Sequence, residues 1–134
     1  MFTWKGKKRR MWWRPKPPRS LGQRGEDAAA RYLRRAGYKI LDRNVFLGRY
    51  EIDIIAREGD TIAFVEVRTR ATLDEVPPED TIGPEKQHRI RQAAQRYIDA
   101  HDDPTVYYRC DVVSVILPEQ GKPEIRLIRN AFEG

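Results

Sequence analysis

Apolar, β-branched positions alternate with acidic ones along Glu51-Ile52-Asp53-Ile54-Ile55-Ala56, and a second such run covers Ile62-Ala63-Phe64-Val65-Glu66-Val67-Arg68-Thr69-Arg70. Glu58-Gly59-Asp60-Thr61 between them has turn chemistry, so the pattern predicts a β-hairpin. Strand side chains point alternately to opposite faces. Glu51, Asp53 and Ile55 are therefore expected on one face of the first strand, and Phe64, Glu66, Arg68 and Arg70 on one face of the second. Ile52, Ile54, Ala56, Val65 and Val67 line the other surface, so both faces are expected to be at least partly buried, with carboxylates among the apolar groups.

The rest of the chain supplies the partners for that hairpin. Gly22 to Gly37 reads as a helix with Ala29, Leu33 and Ala36 as its apolar stripe, and Glu26, seven residues before Leu33, shares that stripe. Tyr38 to Phe46 is expected as a strand, with Ile40 and Val45 in the core. Residues 71–83 hold Pro77, Pro78 and Gly83 and read as a loop of the kind that covers a site. Pro84 opens a second helix running to about Ala100, on which Lys86, Ile90, Ala93 and Tyr97 form one stripe. Val106 to Leu117 and Glu124 to Ile128 read as two further strands around the turn-like Pro118–Lys122. The order helix, three strands, helix, two strands is that of a small mixed α/β domain.

Length and charge refine this picture. A chain of 134 residues is expected to form one domain with a sizeable core. Its one cysteine, Cys110, excludes an intrachain disulfide framework and fits a reducing, cytoplasmic compartment. Cys110 alternates with Val112 and Ser114 in a strand pattern, which suits a small core side chain. No apolar run reaches the length of a membrane span, and the N-terminus lacks a secretory hydrophobic stretch, so no membrane partner is expected. Residues 1–20 contain Lys5, Lys7, Lys8, Arg9, Arg10, Arg14, Lys16 and Arg19, all three tryptophans and no acid, whereas the whole chain is only +6. The chain thus divides into a basic arm, 1–20, expected to be disordered when free, and a body, 21–134. Lysine and arginine attract phosphate and tryptophan stacks on bases, so the arm is a candidate nucleic-acid contact. A solvated extension, or a tail docked on protein, fits the same composition.

The hairpin acids are the first functional candidates, because a buried carboxylate must be compensated by a metal, a cation or hydrogen bonds. Asp53, then Glu66 thirteen residues later on the next strand, then Arg68, suits metal-assisted phosphodiester cleavage. Two carboxylates on adjacent strands can hold Mg²⁺ or Mn²⁺ through oxygen, and a cation two residues further reaches the phosphate. The same spacing also fits a plain cross-strand ion-pair ladder. Glu26 can reach the acidic surface or simply complement its helix N-terminus. Lys86 can face a phosphate or the acids, or lay its alkyl stem over the core. His88 and His101 are not spaced as metal ligands and are expected at the surface.

Gly22-x-x-Gly25-Glu26, Asn44, Glu51–Ala56, Phe64-Val65-Glu66-Val67-Arg68-x-Arg70, Lys86, Arg109–Val113 and Asn130-Ala131-Phe132 together resemble the YraN family of small bacterial proteins. That family is similar to archaeal Holliday-junction resolvases and, by resemblance, to the PD-(D/E)-x-K nucleases. The likeness spans roughly residues 22–132 and leaves out the arm. It implies a restriction-endonuclease-like core, a mixed central sheet flanked by helices. It also implies Asp53 and Glu66 as metal ligands, Glu26 as a further acidic member with Glu51 beside it, and Arg68 at the superfamily's lysine position. Arg70 and Lys86 are candidate nucleic-acid contacts on the body, and Lys7, Lys8, Arg9, Arg10 and Arg14 are candidates from the charge of the arm alone; the resemblance suggests branched or structured DNA as substrate and a homodimer as the symmetric arrangement.

Three positions depart from the family pattern: Tyr50 stands where a glycine usually precedes the acidic run, Cys110 replaces an aromatic, and Arg68 replaces lysine. Arginine stays protonated, so it can clamp phosphate but cannot take a proton from water, and activation of the nucleophile falls to the metal. The expected function is a metal-dependent DNA endonuclease. The alternative is a non-catalytic nucleic-acid-binding or adaptor module that keeps a nuclease fold.

Overall fold

A computed structural model of the chain describes residues 17–72 and 82–132. Most of the basic arm, including Lys7, Lys8, Arg9, Arg10 and Arg14, and most of the loop expected over 71–83 lie outside the described residues.

The first helix, α1 (Leu21–Arg35), starts where Ser20 can cap it. Gln23 N–H donates to Ser20 Oγ at 3.1 Å and Ser20 N–H donates to Gln23 Oε1 at 2.9 Å, a reciprocal capping box. Its buried face is Gly25, Ala28, Ala29, Ala30 and Leu33. Ala36, expected in that stripe, is exposed, because the helix stops at Arg35 and the chain turns through Gly37 at φ 98°, which glycine adopts without strain.

The strands follow the expected order: β1 (Lys39–Leu47), β2 (Tyr50–Glu58) and β3 (Thr61–Arg70) form an antiparallel meander. The second helix, α2 (Pro84–His101), then crosses over so that β4 (Tyr107–Ile116) runs parallel to β3, and β5 (Glu124–Ile128) closes antiparallel on β4. Strand order in the five-stranded sheet equals chain order.

Two apolar layers hold the sheet between the helices. On one face Ala28, Ala29 and Leu33 of α1 pack with Ile54, Ala56, Ala63, Val65, Val113 and Val115. On the other, Ile90, Ala93 and Ala94 of α2 pack with Ile55, Ile62, Phe64, Val106 and Cys110. Burial pushes the Cys110 thiol up to about 11, as suits a core side chain. Ile52 corrects the strict alternation expected for β2: it joins Ile55 in the α2 layer rather than Ile54 and Ala56 in the α1 layer. The change of face occurs at Asp53, and the facing strand carries Asn44 there in the left-handed region at φ 52°, between the pairs Arg43–Ile54 and Val45–Ile52.

At the opposite end of the sheet a polar cluster ties β2, β4 and the segment after β5. Asp111, fully buried, accepts from Arg109 Nε at 2.9 Å, Tyr38 Oη at 3.1 Å and Asn130 N–H at 2.9 Å. Arg109 also donates to Glu58 at 2.7 Å, and Arg129 donates to the other Glu58 oxygen at 2.8 Å. A buried carboxylate so fully paired is a structural anchor.

Candidate functional site

The antiparallel ladder between β2 and β3 runs from Glu58–Thr61 up to Ile54–Val65. One residue further, Asp53 takes a rung for itself: Val67 N–H donates to Asp53 Oδ2 at 2.8 Å. The strands therefore part where Asp53 and Glu66 face each other, and a short polar side chain fills the gap.

Glu66 is 5% exposed, and its Oε2 lies 3.5 Å from Arg68 Nη1 and 3.6 Å from Lys86 Nζ. Asp53 is pushed up to about 7, first by burial and then by the negative charge of Glu66 beside it, against the pull of the Val67 N–H and of Lys86. Glu26 is also raised, by burial and by the charges of Asp53 and Glu51, while Asn44 and Arg43 oppose the shift. Glu26 thus belongs to the acidic group on β2 and not to the N-terminal end of its helix. It arrives there because Gly25 lets α1 lie against β3. Lys86, from the first turn of α2, likewise turns to the acids.

Glu51, exposed, lines an open cleft with Asp53, Lys86, Arg89 and the aromatic side chains Phe46 and Tyr50. A second depression continues from it over Arg49, Tyr50, His88, Gln92 and Arg96. Arg49 stacks over the Tyr50 ring at 5.4 Å, and Arg96 packs so closely on the β1–β2 turn that a Cβ on Gly48 would lie 2.7 Å from its Nε. Arg70 is half-buried at the end of β3, opposite Ile116. His88 and His101 are exposed, as expected.

Sequence reasoning missed Phe46, Arg49, Arg89 and Arg96. Phe46 reads as an ordinary strand aromatic, and isolated surface arginines carry no spacing signal.

The donor set is oxygen only, which suits a hard divalent cation: half-buried Asp53 lies beside buried Glu66, whose charge Arg68 and Lys86 face. Arg68 Nε is buried with no hydrogen-bond partner among the described residues. Among the described residues no three His, Cys, Asp or Glu side chains close into a finished metal cage. The tight element is the pair Asp53 and Glu66, with Glu26 and Glu51 beside it. No helix among the described residues is long and apolar enough to cross a membrane.

Residues 25–115 match the model of a family described as "Uncharacterised protein family UPF0102". The chain is 43% identical over 109 residues to the UPF0102 protein of Chlorobaculum parvum, covering 81% of this chain and 84% of that one. It is 42% identical over 113 residues to that of Geobacter sulfurreducens, covering 84% and 88%. For the UPF0102 protein of Syntrophus aciditrophicus the figures are 45% over 112 residues, 84% and 87%. The matched stretch holds every residue of the acidic group and both cations on Glu66.

Proposed function

The chain belongs to family UPF0102, and from the geometry of its acidic site we propose that it is a divalent-metal-dependent endonuclease hydrolysing DNA phosphodiester bonds. The observation that carries this is the pairing of Asp53 and Glu66 at the parting of β2 and β3, with Arg68 and Lys86 on the same carboxylate. Asp53 and Glu66 would hold Mg²⁺ or Mn²⁺, with Glu26 and Glu51 as outer acids. When bound, the ion supplies Lewis acidity toward water and phosphate.

The chain's own side chains do the rest. Arg68, with its planar cationic fork, binds phosphate oxygen and the negative charge that grows on it. Lys86 holds Glu66 in place and faces the same cleft. Asn44 and Arg43 hold Glu26. The open cleft and the arginine-lined depression beside it fit an extended polyanion better than a small enclosed substrate. Branched DNA is the substrate class that the family resemblance suggests, and two-fold cutting of a junction would call for two copies of the chain.

A second reading draws on one observation. Glu66 is already partnered by two cations, as in a site that has become a non-catalytic nucleic-acid binder. One experiment separates them: incubation of the full chain with linear, flap and four-way-junction DNA in Mg²⁺ or Mn²⁺, beside Asp53→Asn and Glu66→Gln. Metal-dependent cleavage lost in both variants is expected. Binding without cleavage would favour the adaptor, and cleavage that survives both changes would refute the assignment of the site.

A further inference from the structure

Phe46 is 67% exposed, although its strand neighbours Val45 and Leu47 pack into the α2 layer. A single exposed apolar residue is ordinary by itself. Its position is what matters: Phe46 pairs with Glu51 at the end of the β1–β2 hairpin and lines the same cleft as Asp53, under a rim that carries Arg49, Lys86 and Arg89. The cleft therefore offers, side by side, an acidic metal-type site, cations and an exposed aromatic ring. A nucleotide presents the matching set, a phosphate and a flat base.

We propose that Phe46 is a stacking platform for one nucleobase next to a phosphate drawn to Lys86 and Arg89 in the same cleft. Inside a continuous duplex each base face is covered by its neighbours. A ring at the mouth of the cleft reaches a base face only where the strand is interrupted and the base is terminal or unstacked. Phe46 then selects a strand interruption over intact duplex, while the arginines hold backbone without regard to sequence. This rests on the nuclease reading only for the chemistry done on the phosphate; the stacking is a matter of binding.

The test compares affinities of the full chain for a duplex with a one-nucleotide gap and for the continuous duplex of the same sequence. Binding is measured in Ca²⁺, with the DNA checked for integrity by gel, and cleavage of the same probes is followed separately in Mg²⁺ or Mn²⁺. The wild type is expected to prefer the gapped probe by about tenfold or more, a typical worth for one stacked base. Phe46→Ala should bring the ratio close to one, Phe46→Leu should do nearly the same, and Phe46→Trp should keep it. The salt dependence of binding should be equal in all four proteins, because no charge changes. As the side chain is exposed, all four should melt together. A gap preference that persists in Phe46→Ala, or is lost equally in Phe46→Trp, overturns the platform. Cleavage by a wild type whose preference ignores Phe46 leaves the nuclease standing without the platform. A Phe46-dependent preference without cleavage does the reverse.

Discussion

Gly25 lies directly against Thr69: a Cβ placed on Gly25 would overlap Thr69 Oγ1 and come within 2.7 Å of Thr69 Cβ. Rotating the threonine moves its hydroxyl but not its Cβ. The contact lets α1 rest on β3 and puts Glu26 beside Asp53. Gly25→Ala should therefore destabilise the protein by about 1–3 kcal/mol, the usual range for overpacking. Thr69→Gly in the same chain should recover more of the loss than Thr69→Ala, which leaves the Cβ in place. Denaturant melts of the single and double variants check this; additive effects would show that the two positions do not touch.

Asp53 gives the site a pH signature in metal-free buffer. Its carboxyl ionises near 3.8 ordinarily and at about 7 in the fold, so between those values the folded chain keeps a proton that the unfolded chain has lost. The associated stability is complete below about pH 4 and is lost as pH rises toward 7. Asp53→Asn, which never ionises, should gain on the wild type across that window and melt at the higher temperature at pH 7.5. Mg²⁺ or Mn²⁺ should narrow the gap by stabilising only the wild type. A gap that ignores both pH and metal would break the link between this carboxylate and a cation.

Arg68 is expected to act as a phosphate clamp rather than a base. Arg68→Ala should lower cleavage by roughly 100-fold, the scale for one lost transition-state donor. Arg68→Lys, which keeps the charge but loses the planar fork, should fall between the two. Single-turnover rates at saturating metal decide it, and a lysine variant faster than wild type would show the arginine to be a handicap.

The depression over Arg49 and Arg96 should contact backbone phosphates. Replacing both with alanine is expected to weaken binding about equally for all sequences and to reduce the slope of log affinity against log salt by roughly two. Titrations at several salt concentrations measure it; an unchanged slope would move the DNA track elsewhere.

The sequence makes the hairpin, both helices and the order of elements legible, because turn residues at Gly59 and Gly83–Pro84 bracket runs of clear period. Asp53 and Glu66 stand out as acids among Ile, Val and Phe. What lies beyond such reading depends on departures from regularity. Ile52 changes layers because β2 is irregular at Asp53, and no alternation rule anticipates that. Ala36 drops out of its stripe because the helix ends one residue before it. Lys86 and Glu26 each had an ordinary surface explanation, and only the packing of α1 and α2 on opposite faces turns both toward one edge of β2 and β3.

The hydrogen bond from Val67 to Asp53 bears on how any loss-of-function variant at that position should be understood. Cutting Asp53 back to alanine removes a charge and also orphans a main-chain donor, so a dead, poorly folded protein would say little about catalysis. Asparagine can splint the same fork with its carbonyl oxygen, which makes it the cleaner knockout.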